Sequence, residues 1–314
     1  MPILVCGSFN MYLNFYHLKE EPFRLTPDPK FLQLAEPHRN ALMLLAQGVI
    51  GRKGLMLFSG PIGTGKTTVL NGLLSVLARS YPQRTLPTAL IVNPRLSPEE
   101  LLETLLFEFE VPRTFNSKPC RIAALQGLMF AASKDGGTCL IIVDEAHLLT
   151  VDVLEEVRLL MNADSYREKL LQVVLCGQPE LTDLLRHPAL RAVRQRVAVR
   201  ATLRELSPSE ARMYITERLR IAGLEKAVPF TSSAFDKLYE YTGGVPRLIN
   251  LVSDTCLAVG CETGRTQIGE DIVEEAAMRH ELESTAVAGK KANLSILPTY
   301  GASPSAKTPN RSEL

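Results

Sequence analysis

Tryptophan is absent from the 314 residues, and aromatic side chains make up only 6% of them. No indole platform for stacking on sugars or bases is available. An excess of one charge is also missing, since 35 Lys plus Arg offset 34 Asp plus Glu to leave +1. That balance excludes a strongly basic nucleic-acid-coating protein and an acidic disordered one, but leaves room for a local basic patch. The six cysteines, at 6, 120, 139, 176, 256 and 261, include no CxxC pair. Cys139 and Cys176 lie inside apolar runs, where cysteine behaves as a small hydrophobe. All six read as free thiols in a reducing compartment, not as a disulfide framework or zinc site. No apolar run approaches the roughly 18 residues of a membrane span, and residues 1–9 lack the basic start and the length of a signal peptide. The expectation is a cytoplasmic protein. What remains is ordinary for a soluble globular chain: 46% hydrophobic and 22% charged residues. The length suits about two domains, with a core large enough to need no staples.

Along the chain, residues 1–30 read as an irregular N-terminal arm. Residues 12–28 are rich in aromatics and proline, and prolines at 22, 27 and 29 remove donors and restrict their predecessors. From Glu36 to Ile50 the apolar residues Leu42, Leu45, Ala46 and Val49 recur at helical spacing. Short continuous apolar runs at 55–58, 89–92, 139–143 and 171–175 read as buried parallel strands. Helical patterns at 67–80, 98 onward, 123–132 and 148–161 separate them. Ser97-Pro98-Glu99-Glu100 is a helix start, with Ser as N-cap, Pro at N1 and Glu at N3, and Ser207-Pro208-Ser209-Glu210 repeats the device. Alternating strands and helices predict a mostly parallel sheet covered on both faces, an α/β domain at 31–205. Residues 206–282 show helices near 208–222, 232–241, 246–260 and 270–280 and no convincing strand, so a small all-α lid domain is expected there. Residues 283–314 turn to Ala, Ser, Lys, Pro and Thr and are expected to be a disordered tail.

The segment Gly60-Pro61-Ile62-Gly63-Thr64-Gly65-Lys66-Thr67 fits G-x-x-x-x-G-K-[ST] and lies between an expected strand and an expected helix. Its glycines permit backbone shapes that aim successive N–H groups at phosphate oxygens. The helix that follows, through Lys66, Thr67 and Thr68, adds its N-terminal partial positive charge. Lys66 is placed to reach the β- and γ-phosphates of ATP, and the Thr67 hydroxyl to ligate Mg2+. Leu140 to Val143 is an apolar strand ending in Asp144 and Glu145. Ligand sites form at the carboxyl ends of parallel strands. Asp144 would therefore stand beside the phosphate loop and hold Mg2+ through its water shell, and Glu145 would act as general base on the attacking water. His147 completes an Asp-Glu-Ala-His string but reads as a residue packing locally at a helix start, since no other helicase motif is visible. The strand 171–175 leads to Gln178, which either contacts the γ-phosphate or serves a Gly-Gln-Pro turn. Between Arg186 and Arg204 there are six Arg and no Asp or Glu. They form a solvated basic face, a contact to nucleic-acid phosphates, or the source of an arginine finger acting on a neighbour's ATP. Arg196 is the preferred finger. Arg247, after Gly243-Gly244-Val245-Pro246, opens a helix where a cation opposes the macrodipole, which points to an anionic partner.

Together these residues resemble the AAA+ ATPases. Residues 11–12 and 15–16, Glu21-Pro22-Phe23, Thr26-Pro27-Asp28-Pro29, Gly177-Gln178-Pro179-Glu180-Leu181 and Gly-Gly-Val-Pro-Arg at 243–247 are similar to the ExeA/GspA-like ATPases of bacterial general secretion. Relatives of that group include MshM-like pilus, exopolysaccharide-locus and TniB-like transposition ATPases. The resemblance covers about residues 11–280 and implies a P-loop NTPase three-layer parallel sheet followed by a helical lid. It also implies ATP and Mg2+ as ligands, and Gln178, Arg196 and Arg247 in the sensor-1, finger and sensor-2 roles. A homo-oligomeric ring or filament is implied, acting on an unknown protein partner near a membrane, with DNA as the partner in the TniB-like alternative. Similar proteins begin at the Met-Tyr of 11–12, so residues 1–10 read as an extension or a misplaced start. Secretion members continue into a membrane span and a peptidoglycan-binding domain, and neither is found in these 314 residues.

Overall fold

A computed structural model describes residues 8–25, 35–81, 86–112, 117–134, 136–163 and 168–284. The expectations for the tail from 285, for Thr26-Pro27-Asp28-Pro29, for residues 1–7 and for Cys6 lie outside them. The other five cysteines are free thiols, and no described helix is long and apolar enough to cross a membrane.

Among the described residues five strands pair in parallel: β1 (Leu55–Ser59), β2 (Thr88–Ile91), β3 (Cys139–Val143), β4 (Leu171–Gly177) and β5 (Val197–Thr202), in the spatial order β2-β3-β4-β1-β5. Every residue of β1, β3 and β4 is buried, as expected of strands covered on both faces. Side chains of a strand alternate between faces. Leu55 and Leu57 therefore point into one core, with Ile141 and Val173, while Met56 and Phe58 point into the other, with Ile142 and Val174. α2 (Glu36–Ile50) and α3 (Lys66–Ser80) cover the second face through Leu45, Val49 and Leu73. α4 (Pro98–Glu108), α5 (Lys118–Lys134) and α6 (Val151–Leu160) cover the first through Leu102, Leu125 and Val157. Two short helices, α7 (Glu180–Leu184) and α8 (Arg191–Arg196), lead into β5.

Both Ser-Pro-x-Glu starts form full capping boxes, on α4 and on α9 (Pro208–Ile221). The lid continues as α10 (Ser232–Thr242), α11 (Pro246–Glu262) and α12 (Glu270–Arg279). Four strands follow the apolar runs. The fifth, β5, was not anticipated as a strand, because its exposed and half-buried alternation at a sheet edge gives it no continuous apolar run.

The N-terminal arm requires a correction, because residues 8–16 are not irregular but form a helix, α1 (Ser8–Tyr16). Its proline-free sequence carries Tyr12 and Tyr16 one turn apart, so both rings turn to one side and are buried in the lid core with Leu257 and Ile249. The Tyr12 hydroxyl donates to Asp254 Oδ1 at 2.7 Å and Tyr16 to the Arg265 carbonyl at 2.9 Å. Irregular backbone begins at His17, just after the helix, and runs on through Pro22. There the buried Arg218 guanidinium donates to the Pro22 carbonyl at 2.6 Å and to the Tyr214 hydroxyl at 2.6 Å. The helix expected from 148 starts instead at Val151, where the Thr150 side chain accepts from the Val153 N–H. Residues Ala146–Leu148 form a separate 3-10 turn.

Candidate functional site

The loop after β1 curls back over the start of α3. Gly63 and Gly65 sit at φ +77° and +95°, where side chains are rarely tolerated. A Cβ on Gly65 would lie 2.8 Å from His38 Nε2, and one on Gly63 2.9 Å from Val245 Cγ1. The loop is held from behind. The Thr64 hydroxyl donates to the Pro61 carbonyl at 2.8 Å, and His38 Nε2 bonds the Thr64 carbonyl at 2.7 Å. Burial of the His38 ring pushes its pKa down, so the neutral, donating imidazole is the favoured form. The Lys66 ammonium donates to the Gly60 and Pro61 carbonyls at 2.8 and 3.0 Å.

β3 brings the acidic pair to the same place. The Thr67 hydroxyl donates to Asp144 Oδ2 at 3.2 Å. The Glu145 N–H donates to Asp144 Oδ1 at 2.9 Å, and Glu145 itself takes φ +51°, a backbone conformation uncommon outside glycine. Its Oε2 is buried and accepts no hydrogen bond. Gln178 follows the last residue of β4, between β3 and β1, and the Gly60 N–H donates to the Gly177 carbonyl at 3.2 Å. The Gln178 side chain meets His147, whose Nε2 is 3.2 Å from Gln178 Nε2. The lid closes the other side, where the Arg247 N–H donates to the Gly63 carbonyl at 3.1 Å.

These elements enclose a cleft of about 400 Å3 whose walls include Ile62, Gly63, Gly65, Lys66, Thr67 and Thr68 at one end, with Glu145 and Arg247 beside them. Tyr214, Arg218 and Asn250 line it on the lid side. The volume falls in the range of small-molecule sites. Gly60, Pro61 and Thr64 support the cleft from outside its walls.

Of the residues singled out in the sequence, the loop 60–68, Asp144, Glu145, Gln178 and Arg247 thus converge on one end of the sheet. Arg196 does not. It precedes Val197, which pairs with Leu55, the first residue of β1. The length of β1, about 16 Å for five residues, separates it from the loop. There its guanidinium donates to the Arg158 carbonyl at 3.1 Å and to Asn162 Oδ1. Two other arginines of the cluster have carboxylate partners just outside it: Arg186 pairs with Asp183 and Arg204 with Glu210. The Arg204 guanidinium beside Glu210 holds that carboxyl down at about 2.

His38, Tyr214, Arg218 and Asn250 are wall residues that were not anticipated. His38 lies in a helix with no motif around it, and only the fold carries it beneath the loop. Arg218 and Tyr214 are likewise distant in sequence from every motif. Asn250 carried a usable signal, being one turn beyond Arg247 on the same face of α11. It is only 7% exposed, and its Oδ1 is buried with no hydrogen bond.

Residues 49–185 match the protein-family model described as AAA domain. Over 271 residues, 85% of its length, the chain is 39% identical to General secretion pathway protein A of Aeromonas hydrophila, of which the match covers 48%. It is 28% identical over 141 residues, 44% of the chain, to an uncharacterized HTH-type transcriptional regulator of Methanocaldococcus jannaschii, covering 34% of that protein. The chain spans about half or less of the length of these relatives. Among solved structures, the Aeropyrum pernix ORC2 protein in ADPNP–ADP complexes is similar at a TM-score of 0.64 and 16% identity, over 89% of this chain and 75% of that one. Drosophila ORC bound to DNA is similar at a TM-score of 0.61 and 17% identity, over 92% and 70%. At such identities these neighbours establish the fold, that of the P-loop AAA+ proteins.

Proposed function

We propose, on the premise that this chain is an AAA+ protein similar to General secretion pathway protein A, that it binds and hydrolyses ATP with Mg2+. The observation that carries the reading is the 3.2 Å approach of Thr67 to Asp144 directly beneath the glycine loop. A hydroxyl and one carboxylate are hard oxygen donors, a set suited to an ion that keeps most of its waters and completes its shell with phosphate oxygens. The loop amides around Gly63 would cradle the phosphates, helped by the N-terminus of α3. Lys66 would exchange its two carbonyl partners for phosphate oxygens. Glu145 would accept the proton of the attacking water through its unbonded Oε2. Mg2+, when bound, would neutralise charge between the outer phosphates. Arg247, whose side chain has no ion pair among the described residues, would reach the phosphates from the lid. Tyr214 and Asn250 would face the nucleoside.

Arg196 sits at the wrong end of the sheet for its own loop, which favours action on a neighbouring subunit and hence an oligomer. Its bonds to Arg158 and Asn162 would have to yield first. The work coupled to ATP is read, through the secretion relative, as assembly or remodelling of a protein partner near a membrane from the cytoplasmic side. Arg191, Arg194 and Arg200 are exposed and have no carboxylate partner among the described residues, which keeps a DNA-bound, TniB-like reading as the alternative. Phosphate contacts would give that reading a steep loss of affinity with salt.

The test is nucleotide binding and turnover in three variants. Lys66→Ala is expected to lose ATP binding, and Glu145→Gln to bind ATP but turn over at least about 100-fold slower. Arg196→Ala should bind normally yet hydrolyse poorly, and mixing it with Glu145→Gln should restore activity. Unchanged affinity in Lys66→Ala would remove the basis of the reading.

A further inference from the structure

We infer that His147 is a positioning residue that couples the water-orienting carboxylate to the residue facing the terminal phosphate. The inference rests on the proposed roles of Glu145 and Gln178. His147 was read from the sequence as local packing at a helix start. The fold places it elsewhere, in the 3-10 turn between β3 and α6, pressed against the end of β4. Its side chain is only 13% exposed. One ring touches both functional residues. Nδ1 lies 3.3 Å from Glu145 Oε2, and Nε2 lies 3.2 Å from Gln178 Nε2. The Gln178 backbone N–H also points at Nδ1 from 3.5 Å, at the outer limit of hydrogen bonding, so it competes only weakly for that nitrogen. The approach is close enough that a Cβ on Gly177 would stand 3.1 Å from the His147 backbone N.

An imidazole suits this place because its two nitrogens are linked. In the neutral ring one donates and the other accepts, and a bond at one end selects the role of the other. With the Gln178 side-chain amide donating to Nε2 at 3.2 Å, a shorter bond than the 3.5 Å backbone approach to Nδ1, the ring proton sits on Nδ1 and faces Glu145. If Gln178 turns its NH2 toward a phosphate, Nε2 loses that donor and the preference for a proton on Nδ1 weakens. Glu145 would then feel the terminal phosphate through one ring. Its Oε2 makes no hydrogen bond, the 3.3 Å approach of Nδ1 falling short of good alignment, and its backbone at φ +51° is tied by its N–H to Asp144 Oδ1 and by its carbonyl to the Leu148 N–H. A side chain so placed has few other means of keeping its direction.

The experiment is a double-mutant cycle in the full chain, read as kcat and KM for ATP, with ATP affinity and Tm measured on each variant. His147→Ala is expected to lower kcat about 10- to 100-fold, the size of effect a misplaced reacting group produces. KM and affinity should stay within about twofold, the split expected of an interaction felt in the transition state. Gln178→Ala should lower kcat similarly, and the double variant should be no worse than the poorer single one. His147→Asn, which keeps a donor near the Nδ1 position, should recover part of the loss. It also serves if His147→Ala does not fold. Unchanged or raised kcat in the His147 variants, multiplied losses in the double variant, or a loss confined to KM would overturn the coupling. Each of these leaves the ATPase reading intact as long as Glu145→Gln is slow. Turnover that survives Lys66→Ala would defeat that reading instead.

Discussion

The two ends of the central sheet are built on opposite rules. At the amino end of the strands the polar side chains of Gln172, Arg52 and Arg196 find their partners inside the chain. The Gln172 amide, fully buried in β4, accepts from the Gly54 N–H at 2.7 Å and donates to Thr138 Oγ1 and the Lys169 carbonyl. Arg52 reaches the Gly136 and Gly137 carbonyls at 2.7 and 2.9 Å and pairs with Glu168. Arg196 is satisfied in the same way. At the carboxyl end, Glu145 Oε2 and Asn250 Oδ1 are buried without hydrogen bonds, two glycines hold positive φ, and a non-glycine does so beside them. Buried polar groups are nearly always paired, and exceptions in a native fold call for an explanation. One end spends its polar groups on the fold, and the other keeps them for something outside it.

That contrast is open to experiment. The largest effect is expected at the amino end, where Gln172→Leu leaves a buried N–H without an acceptor. Chemical denaturation should show a loss of about 2–3 kcal/mol, with ATP affinity per folded molecule unchanged. An affinity loss without a stability loss would erase the distinction between the ends. At the carboxyl end, Asn250→Leu should do the reverse. Stability should hold or rise, because the orphaned oxygen is gone, while ATP affinity falls up to about tenfold, the worth of one good hydrogen bond. Calorimetric titration decides this, and equal affinities would show that Asn250 does not face the ligand.

The smallest effect concerns pH. His38 has its pKa lowered by burial, so as pH falls below its unfolded value of about 6.5 the unfolded chain takes up the proton first. Stability should therefore decline from there through the lower folded pKa. His38→Gln, which keeps an N–H donor, should lose that part of the slope in melting curves taken at successive pH values. An unaltered slope would mean that the His38 ring is not held neutral beneath the loop.

Much of the carboxyl end could be read before any fold was known. A glycine loop, an acidic strand end and a capping box are local patterns whose residues lie within a few positions of one another. Their backbone consequences depend little on distant sequence. Asp144 could be assigned to the loop because parallel strands present their carboxyl ends together. β5 and α1 escaped for a shared reason. A half-exposed edge strand and a two-tyrosine helix face gain their stability from what they pack on, and the brief alternation of one and the single one-turn pair of the other are too short to announce it.

The linear order of residues, through period, glycine placement and capping chemistry, therefore determined the layered α/β sheet, the four lid helices and the glycine loop with its acidic neighbours. Only the tertiary structure decided which residues complete the site. Parallel pairing of β3 with β4 carries His147 to Gln178 across 31 positions, and α2 packing on α3 brings His38 beneath the loop. The pairing of β5 with β1 carries Arg196 to the far end. Such distances are set by the joint packing of whole elements, which no short stretch of sequence encodes.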